Sequence, residues 1–234
     1  MAKNKIVVIS PSIRPEGIAI VQKALEAQQF VEFDWIICSP FDPHNWATWI
    51  KDDFKGGLWT LNRAYSAMSK QADCDLLVSW QDFTWADENT LDRFWKHYEY
   101  DDKLIVGAIG DKYEKDDWKV KTWTDPRKPG VCGFANVEWN LSSCPKQSLK
   151  DIGYFDDEMD SLFLGCDGLQ VNNRLSETGH TFYVDDKIRS YSLGHGRIAN
   201  WDKLNGVDNG YFTPYRKRIA QLKNEKRWPI IGKL

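Results

Sequence analysis

The chain has 234 residues, of which 42% are apolar and 28% charged, so it can bury a core and is not a disordered chain. No run of about 18 apolar residues is present, which excludes a membrane-spanning helix. A net charge of −3 excludes a protein held to nucleic acid by bulk charge alone.

Lys5–Ser10 is an apolar, β-branched run closed by Ser10-Pro11, and it predicts a strand. Pro15 suits the first turn of a helix carrying Ile18, Val21, Ala24 and Leu25 at helical spacing. Val31–Ser39 predicts a second strand, stopped by Ser39-Pro40. Leu58, Leu61, Tyr65 and Met68 mark a second helix after Gly56-Gly57. Asp75–Trp80 and Leu104–Ile109 predict two more strands, separated by a helix bearing Leu91, Phe94, Trp95 and Tyr98. This alternation predicts β-α-β units and a mostly parallel sheet.

Beyond residue 110 the rhythm changes. Val131–Asn140 predicts a strand, Pro145–Ile152 a helix stopped by Gly153, and Leu169–Thr178 a helix stopped by Gly179. Phe182–Val184 and Ile188–Ser192 predict short strands. With no repeat or clean linker, the expectation is one domain of two lobes, residues 1–110 and 111–197, followed by a tail at 198–234. Lys203–Leu234 holds eight Lys/Arg and two acids, a local balance of +6 that leaves −9 on the other 202 residues. That tail is expected to be a basic arm or lid facing an anion, the alternative being an amphipathic helix with Ile219 and Leu222 inward. Five scattered cysteines and no C-x-x-C pair predict free thiols in a reducing cytoplasm.

Ligands of open α/β sheets sit outside the carboxyl ends of the strands. The segments to inspect are therefore Pro11–Glu16, Cys38–His44 and Gln81–Asp87. Trp80-Gln-Asp-Phe-Thr-Trp85 sets a carboxylate, Asp82, directly after an apolar strand and between two tryptophans. Its alternative role, capping the next helix, is weakened because Asp87 and Glu88 already stand at that helix start.

The order of pieces resembles the family-2 glycosyltransferases of the GT-A fold. The resemblance rests on Pro11-Ser-Ile-Arg-Pro15, Lys55-Gly-Gly57, Asn62-Arg63, Trp80-Gln-Asp82, Gly133-Phe-Ala-Asn136, Ile152-Gly-Tyr-Phe-Asp-Asp-Glu158, Gly165-Cys-Asp167, Arg174-Leu-Ser-Glu-Thr-Gly179 and His195. It spans roughly residues 5–197.

It implies an α/β, Rossmann-like GT-A domain with helices flanking a mixed, mostly parallel sheet. Such a domain moves a sugar from a nucleotide-sugar donor, UDP-sugar foremost, to an acceptor hydroxyl, inverting and assisted by a divalent metal (Mn2+ or Mg2+). Asp82 and His195 would face the metal. Pro11, Ser12, Arg14, Phe41, Asp42, Gly57, Asn62, Arg63, Gln81 and Arg197 would bind the donor. Asp167 would be the catalytic base, with Asp156, Asp157 and Glu158 as alternatives and a helix cap as its bland role. His195 is alternatively a plain surface-loop histidine.

The resemblance extends to soluble phage and bacterial enzymes whose acceptors are glycans or hydroxylated bases in DNA. The competing expectation is a catalytically inactive GT-A domain that only binds carbohydrate or nucleotide. A nucleotidyltransferase is disfavoured, since no Gly-rich phosphate loop follows the first strand.

Overall fold

The computed structural model describes residues 4–30, 32–52, 61–161, 167–193 and 212–231. The strands are β1 (Asn4–Pro11), β2 (Phe33–Ser39), β3 (Thr48–Lys51), β4 (Cys74–Trp80), β5 (Thr84–Ala86), β6 (Leu104–Tyr113), β7 (Lys121–Trp123), β8 (Gly130–Cys132), β9 (Leu141–Pro145) and β10 (Thr181–Leu193). The helices are α1 (Pro15–Glu26), α2 (Leu61–Gln71), α3 (Thr90–Tyr100), α4 (Lys146–Asp151), α5 (Glu158–Ser161), α6 (Asp167–Glu177) and α7 (Phe212–Asn224).

One mixed sheet runs β3-β2-β1-β4-β9-β6-β10-β5, with β7 on β6 and β8 on β10. The first four strands of that order are mutually parallel. β9 is antiparallel to both of its neighbours, while β6 and β10 run parallel. The continuous apolar run at the start of the chain is explained by burial on both faces. Ile6 and Val8 pack beneath α1 and α3 with Trp35, Ile37, Leu76 and Val78. Val7 and Ile9 pack on the opposite side beneath α2, α4 and α6 with Ile36, Leu77, Cys144 and Val171. Each such side chain contributes about 1.5–3 kcal/mol of burial free energy.

Strands β1, β2, β4 and β6 fall where the sequence predicts them. The second half departs from expectation. Val131–Asn140 is not one strand: it holds the short β8 and a 3-10 turn at Phe134–Asn136. The central strand of this half is β9, whose Leu-Ser-Ser-Cys-Pro sequence carries no apolar alternation. All five of its residues are nevertheless buried, because the strand is wedged between β4 and β6. Phe182–Val184 and Ile188–Ser192 are two parts of one strand, β10, joined through an irregularity between Asp185 and Arg189. Since β9 and β10 complete the sheet begun by residues 1–110, the two halves share one sheet.

Acidic side chains lock the β6 end of this sheet. Asp111 accepts from Lys121 Nζ at 2.6 Å, from Arg189 Nη2 at 2.6 Å and from the Asp125 backbone N–H at 3.1 Å. Burial alone would raise the Asp111 carboxyl, but these hydrogen bonds and the Arg189 charge outweigh it and hold it below the ordinary value. Asp125 is lowered in the same way: burial is outweighed by Arg127 and by the Gly110 and Arg127 backbone N–H groups.

A carboxyl depressed in the folded state stabilises above its unfolded pKa, about 3.9, and that contribution is lost as pH falls through the folded value. The thermal midpoint is therefore expected to be level between about pH 5 and 7 on account of these groups and to fall below about pH 4. Asp111→Asn should show a smaller acid-induced drop than wild type; an equal drop would assign the acid sensitivity elsewhere.

Candidate functional site

The strand order turns outward in opposite directions from β1 and β4, and α1 and α2 cover opposite faces. The crevice outside the carboxyl ends of β1 and β4 is the topological switch point of the sheet. Two loops flank it, Ser12–Arg14 after β1 and Gln81–Phe83 after β4. The structure brings Ser12, Arg14 and Asp82 into direct contact there.

Arg14 Nε donates to Asp82 Oδ2 at 3.1 Å and Arg14 Nη2 to Asp82 Oδ1 at 2.9 Å, a two-point fork. Ser12 Oγ donates to Asp82 Oδ2 at 2.7 Å and accepts from the Arg14 N–H at 3.0 Å. Asp82 is 7% exposed, whereas the Arg14 side chain is 24% exposed.

The clamp is built on a strained turn. Phe83 has φ of 58°, in the left-handed region. Its ring lies beneath the Arg14 guanidinium, with Cζ 4.9 Å from the ring centroid. Phe83 N–H donates to the Gly17 carbonyl at 3.2 Å, drawing the turn onto the first turn of α1. A Cβ on Gly17 would lie 2.6 Å from the Phe83 ring and 2.8 Å from Asp82 Cβ.

Gly17→Ala would gain about 1 kcal/mol in helix propensity and lose about 1–3 kcal/mol through overpacking. The expected outcome is a lower melting temperature, read by thermal unfolding. An unchanged value would show that the turn can retreat without consequence.

The other expected donor residues separate into groups. Pro11 is buried in β1, opposite Cys38. Phe41 packs against the core on the α1 side. Asp42 is exposed and accepts from the His44 N–H at 2.8 Å. Arg63 pairs with Asp52 at the end of β3, an acid that carried no signal in the sequence. Cys38 lies close by, its thiol pushed up to about 12 by burial and then by Asp52, against the opposing Arg63 charge.

Asn62 is fully buried. Its side-chain amide and backbone N–H donate to Asp160 Oδ1 at 2.9 and 3.0 Å, while Arg63 N–H donates to Asp160 Oδ2 at 2.9 Å. Asp160 thus satisfies the open N–H groups at the start of α2 from another element, and Asn62 belongs to this scaffold rather than to an exposed surface. Burial raises the Asp160 carboxyl even against these hydrogen bonds. Gly57, His195 and Arg197 lie outside the described residues.

Gln81 leads from the clamp toward α6. Its Nε2 donates to Tyr65 Oη at 3.1 Å, and Tyr65 Oη lies 2.8 Å from Ser79 Oγ and 3.1 Å from the Trp139 carbonyl. Tyr65 stacks on Phe155 at 4.9 Å, and Trp139 meets Phe155 edge-on at the same distance. Trp139 Nε1 donates to Asn172 of α6 at 2.9 Å. A Cβ on Gly168 would fall 2.5 Å from Trp139 Cδ1, so α6 meets this indole by direct contact at its start. Asp167 is the first residue of α6, next to Gly168.

The alternative acids behave differently. Asp156 is bound by Arg218, whose Nη1 also lies 2.6 Å from Glu158. Burial raises the Asp157 carboxyl. Arg174, fully buried in α6, donates to the Ile152 carbonyl at 2.7 Å, to Gln170 at 2.9 Å and to the Tyr154 carbonyl. Burial drives its guanidinium down to about 9. The Arg174-to-Gly179 motif is therefore structural: Arg174 ties down the turn at Gly153-Tyr154, and Gly179 ends the helix with φ of 85°.

The described part of the basic tail is a docked helix. Tyr215, Arg218 and Leu222 of α7 are buried, and Tyr215 packs on Met159 and Leu169. Arg216 and Lys217 are exposed. Residues 198–211 lie outside the described residues. No described helix is long and apolar enough to cross a membrane. The four described cysteines, Cys38, Cys74, Cys132 and Cys144, are free thiols.

No protein-family model matches the sequence, and no curated protein matches it. Solved structures do. GalNAc-T7 with UDP, GalNAc and Mn2+ superposes with a TM-score of 0.62 at 10% identity, over 82% of this chain and 44% of that one. S. aureus TarS 1–349 in complex with UDP superposes with a TM-score of 0.60 at 14% identity, over 81% of this chain and 60% of that one. The chain has the GT-A fold. It spans about half the length of these two GT-A chains.

Proposed function

We propose that this GT-A chain is a glycosyltransferase that moves a sugar from a UDP-sugar to an acceptor hydroxyl with inversion. The observation that carries the reading is the Ser12–Arg14–Asp82 clamp at the switch point of a sheet whose solved neighbours hold UDP. From Asp52 and Arg63 at β3 to Asp82 at β4, the polar rim crosses three strand spacings, about 14 Å. A nucleoside diphosphate laid along that rim would place its base toward β3 and its phosphates toward Arg14.

In the proposed transfer, an oxygen of the acceptor forms a bond to the anomeric carbon while the bond from that carbon to the diphosphate oxygen breaks. Asp167 takes the acceptor proton, and the nucleoside diphosphate leaves with its electron pair. Asp167 opens α6, whose start meets the Trp139 indole at Gly168. The acceptor class that fits the resemblance is a glycan or a hydroxylated DNA base, and the free thiols suit a reducing, cytoplasmic setting.

The described residues do not by themselves fit a divalent cation. Both oxygens of Asp82 are engaged by Arg14 and Ser12, and among the described residues no cluster of three His, Cys, Asp or Glu could hold a metal.

The test is UDP release from UDP-glucose, UDP-GlcNAc and UDP-GalNAc, with oligosaccharides or hydroxymethylated DNA as acceptor. Acceptor-dependent release is expected with one donor. Binding of UDP without release from any donor would favour the inactive binding module.

A further inference from the structure

Asp82 follows the central strand β4 at the switch point, where a metal-facing carboxylate is expected, yet its oxygens already serve another cation. Arg14 meets them through Nε and Nη2 at 3.1 and 2.9 Å, and Ser12 Oγ adds a third hydrogen bond at 2.7 Å. A divalent ion brought to the same carboxylate would stand against the guanidinium and be repelled by it.

The surroundings fix the guanidinium in place. The Phe83 ring lies on it, Phe83 is held at φ of 58°, and Gly17 admits that ring where any Cβ would collide. Strained backbone of this kind persists where the neighbouring structure over-determines it, and it clusters at ligand clamps. The Asp82 fork uses Nε and one N–H of Nη2, so the Nη1 edge of the group is not part of the clamp. Arginine suits that position because its charge is permanent and its planar donors match phosphate oxygens.

We infer that Arg14 replaces the divalent cation in this chain: its guanidinium, oriented by Asp82 and Ser12, meets the diphosphate of the donor, and donor binding requires no metal. Asp82 is then a positioning residue, and Arg14 is the group that touches the donor. The inference rests on the UDP-sugar reading above.

The wild-type protein decides the matter without a variant. UDP is titrated calorimetrically in 1 mM EDTA and in 1 mM MnCl2, about equal conditions otherwise. Affinities within about twofold are expected. Binding strengthened about tenfold or more by Mn2+ and lost in EDTA would overturn the inference while leaving the UDP-sugar reading intact. Failure of UDP to bind in either buffer would overturn both.

Two variants locate the role. Arg14→Met should weaken UDP binding about 10- to 100-fold, the range for hydrogen bonds to a charged group. Arg14→Lys should recover only part of that, since it keeps the charge and loses the fork. Asp82→Asn should weaken UDP binding in the same direction and equally in both buffers. An Asp82→Asn protein that loses an Mn2+ response present in wild type would make Asp82 a metal ligand and sink the proposal.

Discussion

Asp167→Asn is expected to lower kcat by about 10²–10⁴-fold while UDP affinity stays within about twofold of wild type. The asymmetry follows from the proposed role. A general base acts on the acceptor proton as the bond to the anomeric carbon forms, and it makes no contact that ground-state donor binding needs. Asp167 opens α6, one residue before Gly168, whose missing Cβ lets the helix start lie against Trp139. Trp139 in turn joins Tyr65 and Gln81 beside the clamp. Steady-state kinetics with the best donor, paired with UDP titration, measures both quantities. Parallel loss of kcat and UDP affinity, with a lower melting temperature, would make Asp167 a helix cap and leave the base to be sought elsewhere. Asp157, with its raised carboxyl, is then the next acid to substitute.

Arg218→Ala is expected to destabilise the protein by about 3–5 kcal/mol, the range found when one partner of a buried ion pair is removed. Arg218 is 4% exposed and grips Asp156 through Nε at 2.8 Å and Nη2 at 3.0 Å. Burial opposes its charge, but the bonds to Asp156 and the Glu158 carboxylate outweigh burial and raise its pKa further. Removing the guanidinium leaves the Asp156 carboxylate buried without its ion partner. Arg216→Ala and Lys217→Ala should each change stability by less than about 0.5 kcal/mol, since both residues are exposed. Replacing Arg218 by Met and Asp156 by Leu together should recover most of the loss, because the desolvation penalty is removed along with the attraction. Urea denaturation of the four proteins is the measurement. Equal, small effects at all three basic positions would show that α7 is held by Tyr215 and Leu222 alone.

The consequence for the basic tail is physical. The Arg216-Lys217-Arg218 run reads in sequence as one charged patch. On a helix these residues point about 100° apart, so burial of the Tyr215 and Leu222 face carries Arg218 inward and leaves its neighbours in water. A triple neutralisation would mix a large stability effect with any effect on an acceptor. Arg216 and Lys217 alone are the substitutions that test acceptor contact.

Several parts of the fold were legible because a local rule was enough. The β-branched runs of β1, β2, β4 and β6, together with the 3.6-residue spacing of α1, α2 and α3, imply an α/β sheet covered on both faces. Ser12 and Arg14 follow β1 and Asp82 follows β4, in segments that the strand-end rule marks for inspection, and the fold brings the three into contact. Asn62, a donor residue by the resemblance, is instead buried and bonded to Asp160 in the fold. Whether a helix start faces solvent or Asp160 is settled 98 residues away.

By itself, the sequence determined strands β1, β2, β4 and β6 and helices α1, α2, α3, α4 and α6, while the short strands β3 and β5 carried no signal. Tertiary structure alone decided that polar β9 is a central strand, that Arg174 and Arg218 are buried, and that Asp82 is held by an arginine 68 residues earlier. The physical reason is common to all three. Hydrophobic periodicity reports which face of an element meets the core, but polar and charged groups are buried only where distant partners replace their lost water, and those partners are chosen by the fold.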